Sequence, residues 1–134
     1  MMQDNTYDIL NQILEAGASA RFAGIVDKKG RLIVHGYKKG VTPMLSEKEV
    51  ERSIAQAILK ISTDHSMEER LGRVEYSMTA HQNVKRITMP IRRHDLLLLI
   101  SVERTSDHEK IIHNILPCLA PYSPSMSLPD IAAV

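Results

Sequence analysis

Tryptophan is absent from the 134 residues, phenylalanine occurs once, and aromatic residues make up only 4%. Too few rings are present for a sheet that reads single-stranded nucleic acid by stacking its bases. Cysteine also occurs once, at Cys118. That excludes an intramolecular disulfide framework and a zinc site built from several thiolates. No apolar run approaches the roughly 20 residues of a membrane-crossing helix. Charge of one sign is not in excess: 17 Lys and Arg against 16 Asp and Glu leave a net charge of +1. Such a balance gives no support to a strongly basic nucleic-acid binder. Met1 to Asn11 carry acids and no basic residue, so no secretory signal is expected and the expected compartment is the cytoplasm. There is no G-x-S-x-G nucleophile elbow. Gly36-Tyr37-Lys38-Lys39-Gly40 has lysines but not the G-x-x-x-x-G-K-[ST] arrangement of a phosphate loop.

What is present is a globular composition, with 43% hydrophobic and 25% charged residues, at a length suited to one domain. Asn5 and Asp8 open a first helix that Gly17 ends, with Ile9, Leu10, Ile13 and Leu14 on one face. Arg21 to Asp27 and Arg31 to Lys38 read as a hairpin turning at Lys28-Lys29-Gly30. Phe22 and Val26 fall on one side of its first strand, and Ala23 and Ile25 on the other. A strand apolar on both faces is covered on both.

Ser46 and Glu49 form a capping box ahead of Val50, Ile54, Ala57, Ile58 and Ile61 at helical spacing. This helix is expected to reach Leu71 before Gly72, with a break around Asp64 to Ser66. Val74, Tyr76, Met78 and Ala80 alternate with polar residues as an edge strand to His81. Gln82-Asn83 turns the chain into Val84 to Ile91, with Ile87, Met89 and Ile91 inward and Pro90 at a strand end or bulge. Leu96 to Val102 is the most apolar run and the expected central strand. Ser106 and Glu109 suggest a second capping box, followed by a stripe of Ile111, Ile112, Ile115, Leu116 and Leu119. Pro117 is expected to kink or stop that helix.

The order α-β-β-α-β-β-β-α predicts an α/β (α+β) domain over residues 1–119. A single five-stranded antiparallel sheet would have the middle helix on one face and the terminal helices on the other. Residues 120–134, with Pro121, Pro124 and Pro129 and several serines, are expected to form a tail without regular structure.

This order, with the opening R-F-A-G-I-V-D-K-K-G-R-L-I, resembles the Roadblock/dynein light chain family. Gly24, Asp27 or Lys28, Gly30 and Ile33 sit at places comparable to that family's strand–turn–strand pattern. The segments 21–27, 84–90 and 96–102, followed by D-H-E-K-I-I at 107–112, also look like small uncharacterised proteins of ammonia-oxidising archaea. The likeness spans about residues 5–119. The Roadblock resemblance implies a helix-flanked five-stranded sheet, homodimers and adaptor roles beside small GTPases, and no catalytic residues.

Chemistry-bearing residues are sparse. Of the six histidines, His35, His65, His81, His94, His108 and His113, the last two stand five apart. That is about 140° around a helix, so they diverge rather than share a metal. Cys118 lies in an apolar run, unlike a reactive thiolate. No catalytic, metal or cofactor-binding set is expected, and no cofactor.

Lys85, Arg86, Arg92 and Arg93, with His81 and His94, form a basic stretch unbroken by acids. It is the expected partner-binding surface, for an acidic protein partner or, with less support, a nucleic-acid backbone. Glu47, Glu49 and Glu51, with Glu68 and Glu69, are acids where helix starts favour them. Dimerisation is expected to bury Val50, Ile54, Tyr76 and Met78 between protomers. These features predict a non-enzymatic homodimeric interaction or adaptor module, a small-GTPase co-regulator by resemblance, with no membrane role. The alternative is a sensor holding a small ligand between sheet and helix.

Overall fold

The computed structural model describes residues 8, 10–15, 20–91 and 95–119. A first helical segment, α1, covers residues 10–15. It is followed by β1 (Ala20–Asp27), β2 (Leu32–Tyr37), α2 (Glu47–His65), the short α3 (Glu68–Leu71), β3 (Ser77–Ala80), β4 (Val84–Ile91), β5 (Leu96–Glu103) and α4 (His108–Leu119). The strands form one five-stranded sheet in the order β2-β1-β5-β4-β3. Every neighbouring pair is antiparallel. The expected element order and fold class are those observed.

Each strand's position follows from its side chains. The run 96–103 is apolar on both faces and takes the centre, between β1 and β4. Leu98 and Ile100 join one core with Ile87, Met89 and Ile91 of β4, Ile112 and Ile115 of α4, and Leu10 and Ile13 of α1. Leu97 and Val26 face the opposite way and pack with Ile54 and Ile61 of α2. The middle helix therefore covers one face, and the terminal helices the other. This division removes both faces of the central strands from water, the largest favourable contribution to folding.

Local chemistry sets the turns. Oδ1 of Asp27 accepts from the backbone N–H groups of Lys29 and Arg31, both at 2.9 Å, while Oδ2 accepts from Arg31 Nε at 2.7 Å. Gly30 completes the turn at φ 88°, a conformation that side chains disfavour. The Arg31 N–H first, then its guanidinium and the Lys29 N–H, hold the Asp27 carboxyl below its ordinary value of 3.8. At the start of α2, Ser46 Oγ accepts from Glu49 N and Glu49 Oε1 accepts from Ser46 N, closing the expected capping box. The expected break after α2 is present too: Ser66 caps α2, α3 follows, and Gly72 leaves it at φ 88°.

Four expectations meet a different outcome. The edge strand is four residues, Ser77–Ala80, and does not begin at Val74. Val74 instead donates its N–H to Glu68 Oε2 at 2.6 Å and packs on the α2 side, which holds the chain on α3 before it reaches the ladder. Asp107, not Ser106, caps α4: its Oδ1 accepts from Lys110 N, and Ser106 Oγ donates to Glu103 O. The helix starts one residue later than a Ser106 cap would place it. Pro90 lies inside β4, two positions beyond Thr88, the last β4 residue paired with β3. Its missing N–H leaves no β3 carbonyl unanswered there. Pro117 likewise lies inside α4, which continues to Leu119. The expected caps at Asn5 and Gly17, and the tail 120–134, fall outside the described residues.

Candidate functional site

β3 is the last strand of the sheet, and its outer edge has no neighbour among the described residues. The His81 N–H donates to Val84 O at 2.8 Å, so His81 bonds toward β4. Backbone groups alternate sides along an antiparallel strand. Thr79 and Ser77, opposite Arg86 and Thr88, therefore also bond toward β4. The N–H and C=O groups of Met78 and Ala80 point outward, ready to accept another strand. Tyr76, 41% exposed, stands at the head of this edge.

The four expected dimer residues are not alike. Ile54 is buried under its own sheet at 5% exposure, and Val50 packs half-buried beside it. Met78 packs, half-buried, against the core on the other face. Of the four, Tyr76 alone is exposed. The apolar stripe of α2 is spent inside the protomer, because the sheet beneath it presents Val26 and Leu97. The large apolar side chain left outward on α2 is Leu59, 68% exposed.

The expected basic surface is also divided. Successive β4 side chains point to opposite faces. Lys85 therefore turns with Ile87 to the α4 side, where it is buried at 7% exposure. Its Nζ donates to Ser106 O at 2.8 Å and lies 3.0 Å from His108 Nδ1. Lys85 is thus an internal tie and no part of an open basic patch. Arg86 turns to the α2 side, where Nη1 donates to Ser53 Oγ at 2.6 Å and Nε to His81 Nε2 at 3.1 Å. Arg92, Arg93 and His94 fall outside the described residues. Lys85 and Arg86 lie on opposite faces of the sheet and do not form one surface. Strict alternation through Ile87, Met89 and Ile91 already carried the signal that Lys85 faces inward.

Arg86 enters a groove of about 730 Å³ between α2 and the β3–β4 half of the sheet. One flank is the loop 41–45 before α2, with Met44 and Leu45 exposed in it. Arg21 fastens this loop by donating to Thr42 O at 3.2 Å while it pairs with Glu103 at 3.0 Å. Phe22, whose ring meets that of Tyr37 at a tilt with centroids 5.0 Å apart, supplies apolar wall. A Cβ on Gly24 would stand 2.9 Å from the Phe22 ring, so glycine there leaves the ring its place. Sequence reasoning allowed for a ligand space between sheet and helix but did not identify the residues lining it, because loop 41–45, α2 and β4 are far apart in the chain.

His108 and His113 do not converge. The first meets Lys85 and the second is exposed. Among the described residues no three His, Cys, Asp or Glu side chains are grouped to hold a metal ion. No described helix is long and apolar enough to cross a membrane.

No protein-family profile and no curated protein sequence matches the chain. Solved structures do. A Roadblock/LC7 domain from Streptomyces avermitilis aligns with a TM-score of 0.66 at 12% identity, over 88% of this chain and 94% of that one. A structure of MglB with a tetrameric arrangement aligns with a TM-score of 0.71 at 13% identity, over 90% of this chain and 87% of its own. MglB of Myxococcus xanthus aligns with a TM-score of 0.65 at 10% identity, over 95% and 97%. Identities this low establish the fold: the chain has the architecture of Roadblock/LC7 domains.

Proposed function

We propose that this chain is a non-enzymatic, cytoplasmic interaction module that forms homodimers through its β3 edge and presents the joined surface to a protein partner. The observation that carries this reading is the outward N–H and C=O row of Met78 and Ala80 on a short strand beside exposed Tyr76. An edge of this kind is a template for a second strand. Two copies meeting there across a two-fold axis use the same patch and close the assembly. The tetrameric arrangement named for one structural neighbour adds support for self-association in this architecture.

The partner we infer is a small GTPase or its regulator. That reading is supported by the Roadblock resemblance of segment 21–33 together with the shared fold. The likeness of segments 21–27, 84–90 and 96–102 to proteins of ammonia-oxidising archaea supports placing the chain in such a cell. Light scattering over a dilution series tests the dimer. Twice the 15.1 kDa chain mass is expected, and a single-chain mass at high concentration would overturn the reading. Affinity capture with the dimeric protein as bait tests the partner, with a small GTPase expected among the retained proteins.

A further inference from the structure

Arg86 is a half-buried residue, yet neither of its guanidinium's side-chain contacts is a carboxylate: they are the Ser53 hydroxyl and the His81 ring nitrogen. No carboxylate among the described residues reaches it. A cation drawn away from water and left without a counter-charge is costly unless something supplies that charge. Its surroundings are arranged across the sheet. Thr79 of β3 is directly opposite Arg86 on one side and Ser101 of β5 on the other. Directly paired residues share a face, so hydroxyl, guanidinium and hydroxyl form one row on the α2 side. Ser53 stands above them. All four line the groove.

The wider field has the same sign. Of the five formally charged side chains lining the groove, Arg21, Arg52, Lys60 and Arg86 are cations; Arg21 is paired with Glu103 and Lys60 with Asp64, which leaves Arg52 and Arg86 outside those pairs. The one acid, Glu49, is engaged in capping α2 through Ser46. At the other end the wall is apolar, with Phe22, Met44 and Leu45. A volume of about 730 Å³ lies in the usual range of small-molecule sites.

We propose that this groove binds a small organic anion. Its carboxylate or phosphate sits on the Thr79–Arg86–Ser101 row, and its apolar body lies toward Phe22 and loop 41–45. With Nε and one Nη1 hydrogen engaged, the guanidinium keeps one N–H on Nη1 and both on Nη2 to donate to the oxygens of an anionic group. The two hydroxyls supply further donors. The site does not depend on self-association at β3.

The test uses the full chain and three probes: inorganic phosphate, hexanoate, and 1-hexanol as the uncharged body. Binding is followed by amide shifts of Thr79, Arg86 and Ser101 in nitrogen–proton correlation spectra. One or both anions are expected to shift these amides saturably at millimolar concentration, and hexanol to bind more weakly than hexanoate. Saturation by phosphate alone identifies a phosphate head, and by hexanoate alone a carboxylate. Arg86→Gln is expected to weaken the bound anion about tenfold or more, the loss of a charge-assisted hydrogen bond. Should Arg86→Gln fail to fold, Thr79→Val with Ser101→Ala takes its place, with weaker binding again expected. Silence of these amides toward both anions, hexanol binding as tightly as hexanoate, or unchanged affinity in the folded variants would overturn the proposal. Light scattering on the same samples reads the edge separately, so a monomer that binds the anion sinks the dimer and leaves this site standing.

Discussion

Lys85 Nζ donates to the backbone carbonyl of Ser106 at 2.8 Å, tying the second residue of β4 to the turn that launches α4. The amine is buried, and the carbonyl it satisfies belongs to a buried residue. A lost partner here leaves a polar group out of reach of water. Lys85→Ala is expected to cost about 1–3 kcal/mol, read from the midpoint of urea unfolding. Lys85→Met keeps the aliphatic stem and is expected to cost less than Lys85→Ala. Equal loss in both would assign the whole effect to the amine.

The β1–β2 turn makes stability depend on acid. Hydrogen bonds from Arg31 and Lys29 lower the folded-state pKa of Asp27 below 3.8. The unfolded chain therefore takes up the proton first, and the contribution of Asp27 is complete above 3.8 and lost as pH falls through the folded value. Asp27→Asn is expected to be less stable than the parent at neutral pH. The gap should narrow in strong acid. Thermal melts from neutral pH downward check this, and a gap independent of pH would contradict it.

Ala80→Pro examines the free edge with little harm to the protomer. The Ala80 N–H points away from β4, so proline there removes an outward donor and keeps the β3–β4 bonds that Thr79 and Ser77 make. The expected result is a monomer by light scattering with a far-ultraviolet circular dichroism spectrum like the parent's. A variant that still doubles its mass would move the interface to another surface, with the exposed Leu59 side of α2 next in line.

Packing gives the largest expected effect. Leu98 is fully buried in the central strand, and Leu98→Ala is expected to cost about 2–5 kcal/mol. Leu59→Ala, on the exposed side of α2, is expected to stay within about 0.5 kcal/mol for the isolated protomer. Comparing the two variants by urea unfolding at low protein concentration separates core from surface. A Leu59→Ala cost that appears only at high concentration would mark that side chain as an interface residue.

The tail from residue 120 carries three prolines, Pro121, Pro124 and Pro129, and little apolar periodicity. Truncation after Leu119 is expected to leave the melting temperature nearly unchanged. A large drop would show that Leu128 or Ile131 docks on the domain or on a second copy.

Local chemistry was legible in the sequence wherever a residue's role depends on neighbours within a few positions. The Ser46–Glu49 box, the Asp27–Gly30 turn, the Gly72 stop and the alternation of Ile87, Met89 and Ile91 are such cases, since hydrogen bonds and side-chain periodicity act over one turn or one pleat. The apolar run of β5 even foretold its central place, because a strand hydrophobic on both faces needs cover on both. What tertiary structure alone decided is where those faces lead. Lys85 and Arg86 are adjacent and alike in charge, but the pleat separates them. One is buried against Ser106, 21 residues away, and the other meets Ser53, 33 residues away. The α2 stripe reads equally well as an interface or a core; the presence of Val26 and Leu97 beneath it makes it core. The row Thr79–Arg86–Ser101 exists only because three strands pair in one register. Register is a property of the closed sheet, set when both faces find their helices, and no single segment of the chain contains it.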